Sequence, residues 1–356
     1  VGLAVGAKSR FSFNIFGMIE AIVTDWSQNG CRGEIVLGFS LVLLSAFLFC
    51  FQNVIVRILF SEQIVFGLLP TGGFVTPTLQ HSFLLMFMRM LIGVPLMAIL
   101  APRLYPPIWQ DIAQLRQPEQ RPVLAGAAVC GSLMFLYLML LYVSIGMIPT
   151  GIALTLFFTY PAFTTLLAWR WFNSRPTLFR WGIMAMILLG SFLTMPQTGL
   201  VDGGNYWLGA LFGITSGIAY AFYTVIAQKS FEQLHPMPFT WISFATTLLL
   251  SAMSLVVWQL QDSQIPWTPL WIGGFLSALV TFSGHLINNF GIRLVGASTA
   301  SMVGATNPAL TVVLAWLTIQ ETLNGLQILG VATVTLSVAL LSLERQPTQN
   351  VDISED

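Results

Sequence analysis

The chain has 356 residues, of which 56% are hydrophobic and 8% charged, with 14 Lys+Arg against 14 Asp+Glu and a formal net charge of zero. A soluble domain carries about 25% charge, so this composition excludes a surface that faces water on all sides and fits one that faces lipid. Lys8 and Lys229 are the only lysines, which excludes a nucleic-acid-binding patch.

In chain order, residues 1–34 read as a cytoplasmic N-terminal segment. Its apolar stretch 11–23 is interrupted by Asn14 and Glu20, is too short to span, and precedes no small-residue cleavage site. Ten apolar runs follow, each near the ~20 residues a spanning helix needs. They cover 35–59, 82–101, 123–146, 150–171, 178–196, 207–228, 239–258, 270–291, 298–319 and 324–343. Between the first two runs lies a Gly/Pro-rich loop, 61–81, and between the second and third a loop with a short interfacial helix expected around Asp111 to Arg116. The polar tail 344–356 reads as cytoplasmic.

Basic residues favour cytoplasmic loops. With the N-terminus inside, twelve of the fourteen, from Lys8 to Arg345, fall in inside segments and none in an outside loop. Arg57 and Arg89 remain within spans. The expectation is a multi-pass protein of the inner (plasma) membrane with both termini cytoplasmic.

The sequence also repeats itself. Residues 153–169 (ALTLFFTYPAFTTLLAW) match 300–316 (ASMVGATNPALTVVLAW) at an offset of 147, including Thr159/Thr306, Pro161/Pro308 and Trp169/Trp316. The first and sixth runs match at an offset of 171, as in Gly38/Gly209 and Ser45/Ser216. Two five-helix halves, 35–196 and 207–343, follow from this, and an odd number of helices turns the second half upside down. The fold expected is an all-α membrane protein of ten transmembrane helices in two inverted five-helix repeats, an architecture of secondary transporters.

The ends of the two halves carry a further pattern. Asn307-Pro308, then Glu321-Thr322-Leu323, then Gly330 is similar to the Pro…Glu-Arg-Leu…Gly pattern of EamA-like permeases in the drug/metabolite transporter superfamily, with Thr322 in place of the usual Arg. In the first half Tyr160-Pro161 and Gly182 match, while the acidic position falls at Asn173 or Ser174. Arg89 in FMRMLIG resembles an Arg of the family's second helix. The resemblance spans roughly residues 35–343. It implies ten helices and solute transport, and export by analogy.

Candidate solute-lining residues come from polar stripes on apolar helices, since polar groups facing lipid go unsatisfied. Ser45, Phe49 and Gln52 share a face of the first helix, and Ser216, Tyr220 and Tyr223 hold the matching positions on the sixth. His285, Asn288 and Asn289 form a stripe on the eighth, and Tyr142 aligns with Asn289 on the third. Tyr160 and Asn307 precede Pro161 and Pro308, which are expected to kink helices four and nine and free backbone carbonyls. Each of these residues is equally compatible with interhelical packing. Arg57 and Arg89 need partners or a route to water, and Glu62 and Glu321 are expected on the same side as their partners in an outer gate. Gly209, Gly213 and Gly217 read as a close-packing stripe.

Cys31, Cys50 and Cys130 stand at no metal-ligand spacing, and no phosphate-binding loop, HExxH or catalytic set is readable. No enzyme activity, metal or cofactor is expected. The partners expected are the lipid bilayer and a small-molecule solute, with a homodimer left open. The function expected is secondary transport of a small metabolite, an amino acid or another neutral or zwitterionic solute, by alternating access. The rivals are a phosphorylated-metabolite or nucleotide-sugar exchanger and a non-transporting scaffold or sensor.

Overall fold

The structure, a computed structural model, describes residues 31–60, 62–76, 78–147, 150–173, 175–194, 206–258, 265–319 and 324–343. The N-terminal residues before Cys31, the tail after Leu343 and Glu321 lie outside them, and with them the expectations placed there.

The described chain is helical apart from one hairpin. Its helices are α1 (Cys31–Phe60), α2 (Leu79–Leu104), α3 (Ile108–Gln114), α4 (Arg121–Met147), α5 (Thr150–Phe157), α6 (Tyr160–Phe172), α7 (Leu178–Thr194), α8 (Tyr206–Ser230), α9 (Pro236–Val257), α10 (Trp267–Gly304), α11 (Asn307–Ile319) and α12 (Gly325–Leu343). Six of them, α1, α2, α4, α8, α9 and α10, are long and apolar enough to cross a membrane. Helix α3 is the short helix expected after the second span.

Helix ends follow local chemistry. Thr78 has extended backbone and accepts from His81 N–H at the start of α2 (3.3 Å), while α12 opens with a reciprocal pair between Asn324 and Gln327 at 2.8 and 3.0 Å. Helix α6 ends on Asn173 in the left-handed region, φ 53°.

The Gly/Pro-rich loop between α1 and α2 is more ordered than its composition suggests. It folds as an antiparallel hairpin, β1 (Glu62–Val65) on β2 (Leu69–Gly72), paired from Glu62↔Gly72 to Val65↔Leu69. Its turn uses positive φ at Phe66 and Gly67. Phe66 N–H donates to Thr318 C=O at 2.6 Å, which joins the hairpin to the end of α11. This is the one departure from an all-α fold among the described residues.

Two expected spans are broken rather than kinked. The fourth is split into α5 and α6. The ninth is split between the last turns of α10 and α11, and α10 itself bends at Gly296, with φ 79° and ψ 162°. Adding 147 to the bounds of α5 and α6 gives 297–304, the part of α10 beyond Gly296, and the bounds of α11. Pro161 and Pro308 are each the second residue of the helix after the break. There the missing N–H would have had no intrahelical partner, so proline starts a helix instead of bending one.

The long helices pack in pairs. Helix α1 runs along α10, α8 runs along α4, and α7 pairs with α12. Glycines permit the approach. A Cβ on Gly38 would lie 2.6 Å from Val295, and one on Gly217 would lie 2.7 Å from the Phe157 carbonyl oxygen. The glycine stripe of α8 is thus a packing surface, as its spacing suggests. Cys50 and Cys130 are buried, as read from the sequence, and Cys130 donates weakly to the Tyr223 carbonyl oxygen at 3.7 Å.

Candidate functional site

Three groups of side chains lie at the contacts among α1, α2, α4, α5, α6, α8, α9 and α10. The first is aromatic. Tyr220 on α8 touches Tyr160 (ring centroids 4.7 Å), Tyr137 (5.0 Å), Phe157 (5.7 Å) and Tyr223 (5.8 Å). These rings come from four helices, α4, α5, α6 and α8, so the cluster reports how α8 seats against α4, α5 and α6. Tyr142 is half-buried on α4 and takes no part in these ring contacts.

The second group is a relay. Tyr223 OH donates to Asn289 Oδ1 at 3.2 Å, and Asn289 Nδ2 donates to Thr240 Oγ1 at 2.8 Å. It joins α8, α10 and α9, and all three residues are buried. One residue earlier on α10, Asn288 Oδ1 accepts from Ser45 Oγ at 3.3 Å. The matching Ser216 on α8 donates to the Tyr137 carbonyl at 2.7 Å. Ser45 and Ser216 thus both bond across to the long helix that each one's own helix packs along.

The third group surrounds Arg89. With the Gln52 amide turned so that its oxygen faces α2, that oxygen accepts from Arg89 Nη1 at 3.0 Å. Its NH2 then donates to Ser277 Oγ (2.9 Å) and Thr281 Oγ1 (3.0 Å) on α10. Among the described residues Arg89 therefore faces a neutral amide, and Glu321, one of its two expected carboxylate partners, lies outside them. Glu62 sits in the exposed hairpin, and Arg57, also exposed, lies near the end of α1. One turn beyond Thr281, His285 lies edge-on between Phe49 (4.8 Å) and Phe244 (5.6 Å). Ser277 and Thr281 escaped notice in the sequence. Their spacing of four from each other and from His285 was the available signal, since it extends the His285–Asn288–Asn289 stripe by two turns.

The break before α11 is tied to α1. Asn53 Nδ2 donates to Asn307 Oδ1 (2.8 Å) and to Thr311 Oγ1 (3.2 Å), while Cys50 Sγ donates to the Asn307 carbonyl (3.4 Å). Ser191 on α7 donates to the freed Ala305 carbonyl at 3.4 Å. The bend at Gly296 is closed by Gln228 of α8, whose Oε1 accepts from Ala297 N–H at 2.6 Å. The structure thus gathers most of the sequence candidates, including Ser45, Gln52, Tyr160, Tyr220, Tyr223, His285, Asn288, Asn289 and Asn307, onto helices that touch.

At one end of the bundle, Tyr105 and His235 stack at 3.9 Å and 5°, and Tyr105 OH donates to Asp111 Oδ2 at 2.7 Å. Burial first, then the bond and charge of Asp111, push the Tyr105 phenol up to about 12. Burial first, then Arg293, lower His235 to about 4.

The model of the EamA-like transporter family matches residues 207–343. The uncharacterized transporter sll1319 of Synechocystis sp. is 58% identical over 310 residues, which are 87% of this chain and 94% of the relative. The chain belongs to the EamA-like transporter family. As an EamA-like transporter it is a multi-pass membrane protein that handles a small-molecule solute, and not an enzyme. It is also 26% identical to the threonine/homoserine exporter RhtA of Salmonella typhimurium over 240 residues, 66% of this chain and 77% of that one. A crystal structure at 18% identity shares the fold, with a TM-score of 0.65 over 87% of this chain and 98% of the other.

Proposed function

We propose that this EamA-like transporter is a secondary carrier that exports a small zwitterionic or neutral metabolite of the amino-acid class. It would work by alternating access between two inverted five-helix halves in ten spans, with both termini cytoplasmic. The observation that carries the reading is the pair of broken helices, whose bounds coincide when shifted by 147 residues. Broken helices leave backbone groups to be satisfied inside the protein, and transporters use such places near the midplane for solute sites.

The exchange of packing partners supports the same reading. So does the grouping of helix ends. Tyr105, His235 and Arg293, all assigned to the inner side by charge, adjoin one another, and the hairpin and Thr318, both assigned to the outer side, are bonded. The amino-acid class follows from the polar-aromatic lining and from RhtA, a threonine/homoserine exporter. Two halves of like backbone can trade conformations, which would open the region around Tyr220, Tyr223 and Asn289 to one face and then the other.

The test is counterflow of a panel of labelled L-amino acids, L-threonine and L-homoserine among them, by purified protein in liposomes. Uptake against preloaded unlabelled solute is expected for the native chain. It should be lost in Asn289→Leu and Tyr223→Leu at equal protein incorporation. Transport unchanged in both variants would refute the site, and absence of counterflow with any amino acid would refute the solute class.

A further inference from the structure

We propose that Arg89, Gln52 and His285 form the subsite that takes the carboxylate of the solute, an inference that rests on the carrier reading above. Arg89 is 6% exposed and is the one charged side chain among the buried residues described. No buried aspartate or glutamate accompanies it there. A guanidinium at this depth needs an acceptor of opposite charge, because a neutral amide satisfies one N–H and none of the charge. Gln52 is that amide. It is itself held from behind by Ser277 and Thr281, so the guanidinium is fixed in orientation by a built shell and does not trail toward water.

Two ring or guanidinium nitrogens remain open in this shell. Among the described residues Arg89 Nε has no hydrogen-bond partner, and neither has Nδ1 of His285, which is 5% exposed. Both belong to one neighbourhood. Ser277, Thr281 and His285 follow at four-residue steps on one face of α10, roughly 6 Å apart along the axis. Phe49, against His285, lies one turn from Gln52 on α1. A carboxylate placed between the two nitrogens would supply acceptors and the missing charge together. Arginine's planar fork suits a carboxylate, and a lone base fits a monoanion better than a phosphate ester. The aromatic cluster and the Asn288–Asn289 stripe then remain for the rest of the solute.

The experiment measures binding to the full chain in detergent by thermal shift, using a panel of L-amino acids, their carboxamides and inorganic phosphate. Every amino acid that binds is expected to do so roughly tenfold or more tightly than its amide. Arg89→Gln should abolish that ratio, and Arg89→Lys, which keeps the charge but not the fork, should retain part of it. Acid and amide binding alike to the native chain would overturn the subsite and leave the carrier standing, a comparison that needs no variant. A ratio that survives in Arg89→Gln would also overturn it. Binding by phosphate and by no amino acid would overturn both the subsite and the solute class.

Discussion

Two Gly→Ala changes that look alike in sequence should move stability in opposite directions. A Cβ on Gly131 of α4 would lie 2.5 Å from the Ser243 carbonyl oxygen, 2.6 Å from Thr246 Cβ and 3.0 Å from Ser243 Cα on α9. Two of those atoms are backbone and cannot turn aside. Ordinary contact begins near 3.4 Å, so α4 and α9 would have to part by roughly 0.9 Å. Two bonds cross that contact, Thr247 Oγ1 to the Gly131 carbonyl at 3.0 Å and Ser243 Oγ to the Ala127 carbonyl at 3.2 Å. Such a separation carries both beyond hydrogen-bonding range. Overpacking costs about 1–3 kcal/mol and each lost interhelical bond about 0.6 kcal/mol, for a total of roughly 2–4 kcal/mol. Gly182 in α7 has nothing within 4 Å of its added Cβ. Alanine there should leave stability unchanged or raise it by up to about 1 kcal/mol, the helix-propensity difference. Unfolding of both variants in mixed micelles, followed by tryptophan fluorescence, makes the comparison. Gly131→Ala as stable as the native chain would refute the packing argument.

Gln228→Leu should cost about 1–3 kcal/mol, because Ala297 N–H loses its acceptor at the Gly296 bend, and amide exchange just beyond the bend should quicken while that in α9 does not. His235 is neutral when folded, accepting from Met237 N–H at 3.3 Å, and takes up its proton only near pH 4, against about 6.5 unfolded. The contribution of His235 to stability should therefore be flat above about pH 6.5 and fall from there toward pH 4, by about 1–2 kcal/mol after discounting for partial exposure. His235→Asn keeps a capping acceptor without titrating, so an equally steep fall in its melting temperature over that range would refute the assignment.

The sequence makes some of this architecture plain and hides the rest for a physical reason. Local patterns survive in a single chain: the 147-residue echo marks where two helices break, and the His285–Asn288–Asn289 stripe marks a face that cannot meet lipid. The breaks themselves were expected as kinks. Only the placement of Pro161 and Pro308 at the second residue of a helix distinguishes the two, and that depends on where the preceding helix stops. Contacts between distant segments leave no such trace. Gln52 beside Arg89, Gln228 beside Ala297 and Tyr105 on His235 are set by which helices pack together, and charge alone pointed to Glu62, which sits in the exposed hairpin. The hairpin was obscured by composition, since GLLPTGG signals turns and not the four paired positions around them.

The two breaks share a backbone but not a chemistry, and that difference bears on how one solute is recognised. In the second half Asn307 follows the break and is bonded to Asn53 and Thr311. In the first half the same position is Tyr160, whose ring packs on Tyr220 and whose hydroxyl a Cβ on Gly304 would meet at 2.8 Å. Across helices, Ser45 reaches the Asn288 side chain at 3.3 Å, beside its 2.7 Å bond to the Val42 carbonyl of its own helix, while Ser216 reaches the Tyr137 carbonyl. On the carrier reading, matched backbones would let the two halves exchange conformations. A pair of matched side-chain sets would show a small asymmetric solute the same groups twice. On the carrier reading, the divergence of Asn307 from Tyr160, and of Asn288 from Leu141 at the matching position, would let one end of the solute be told from the other.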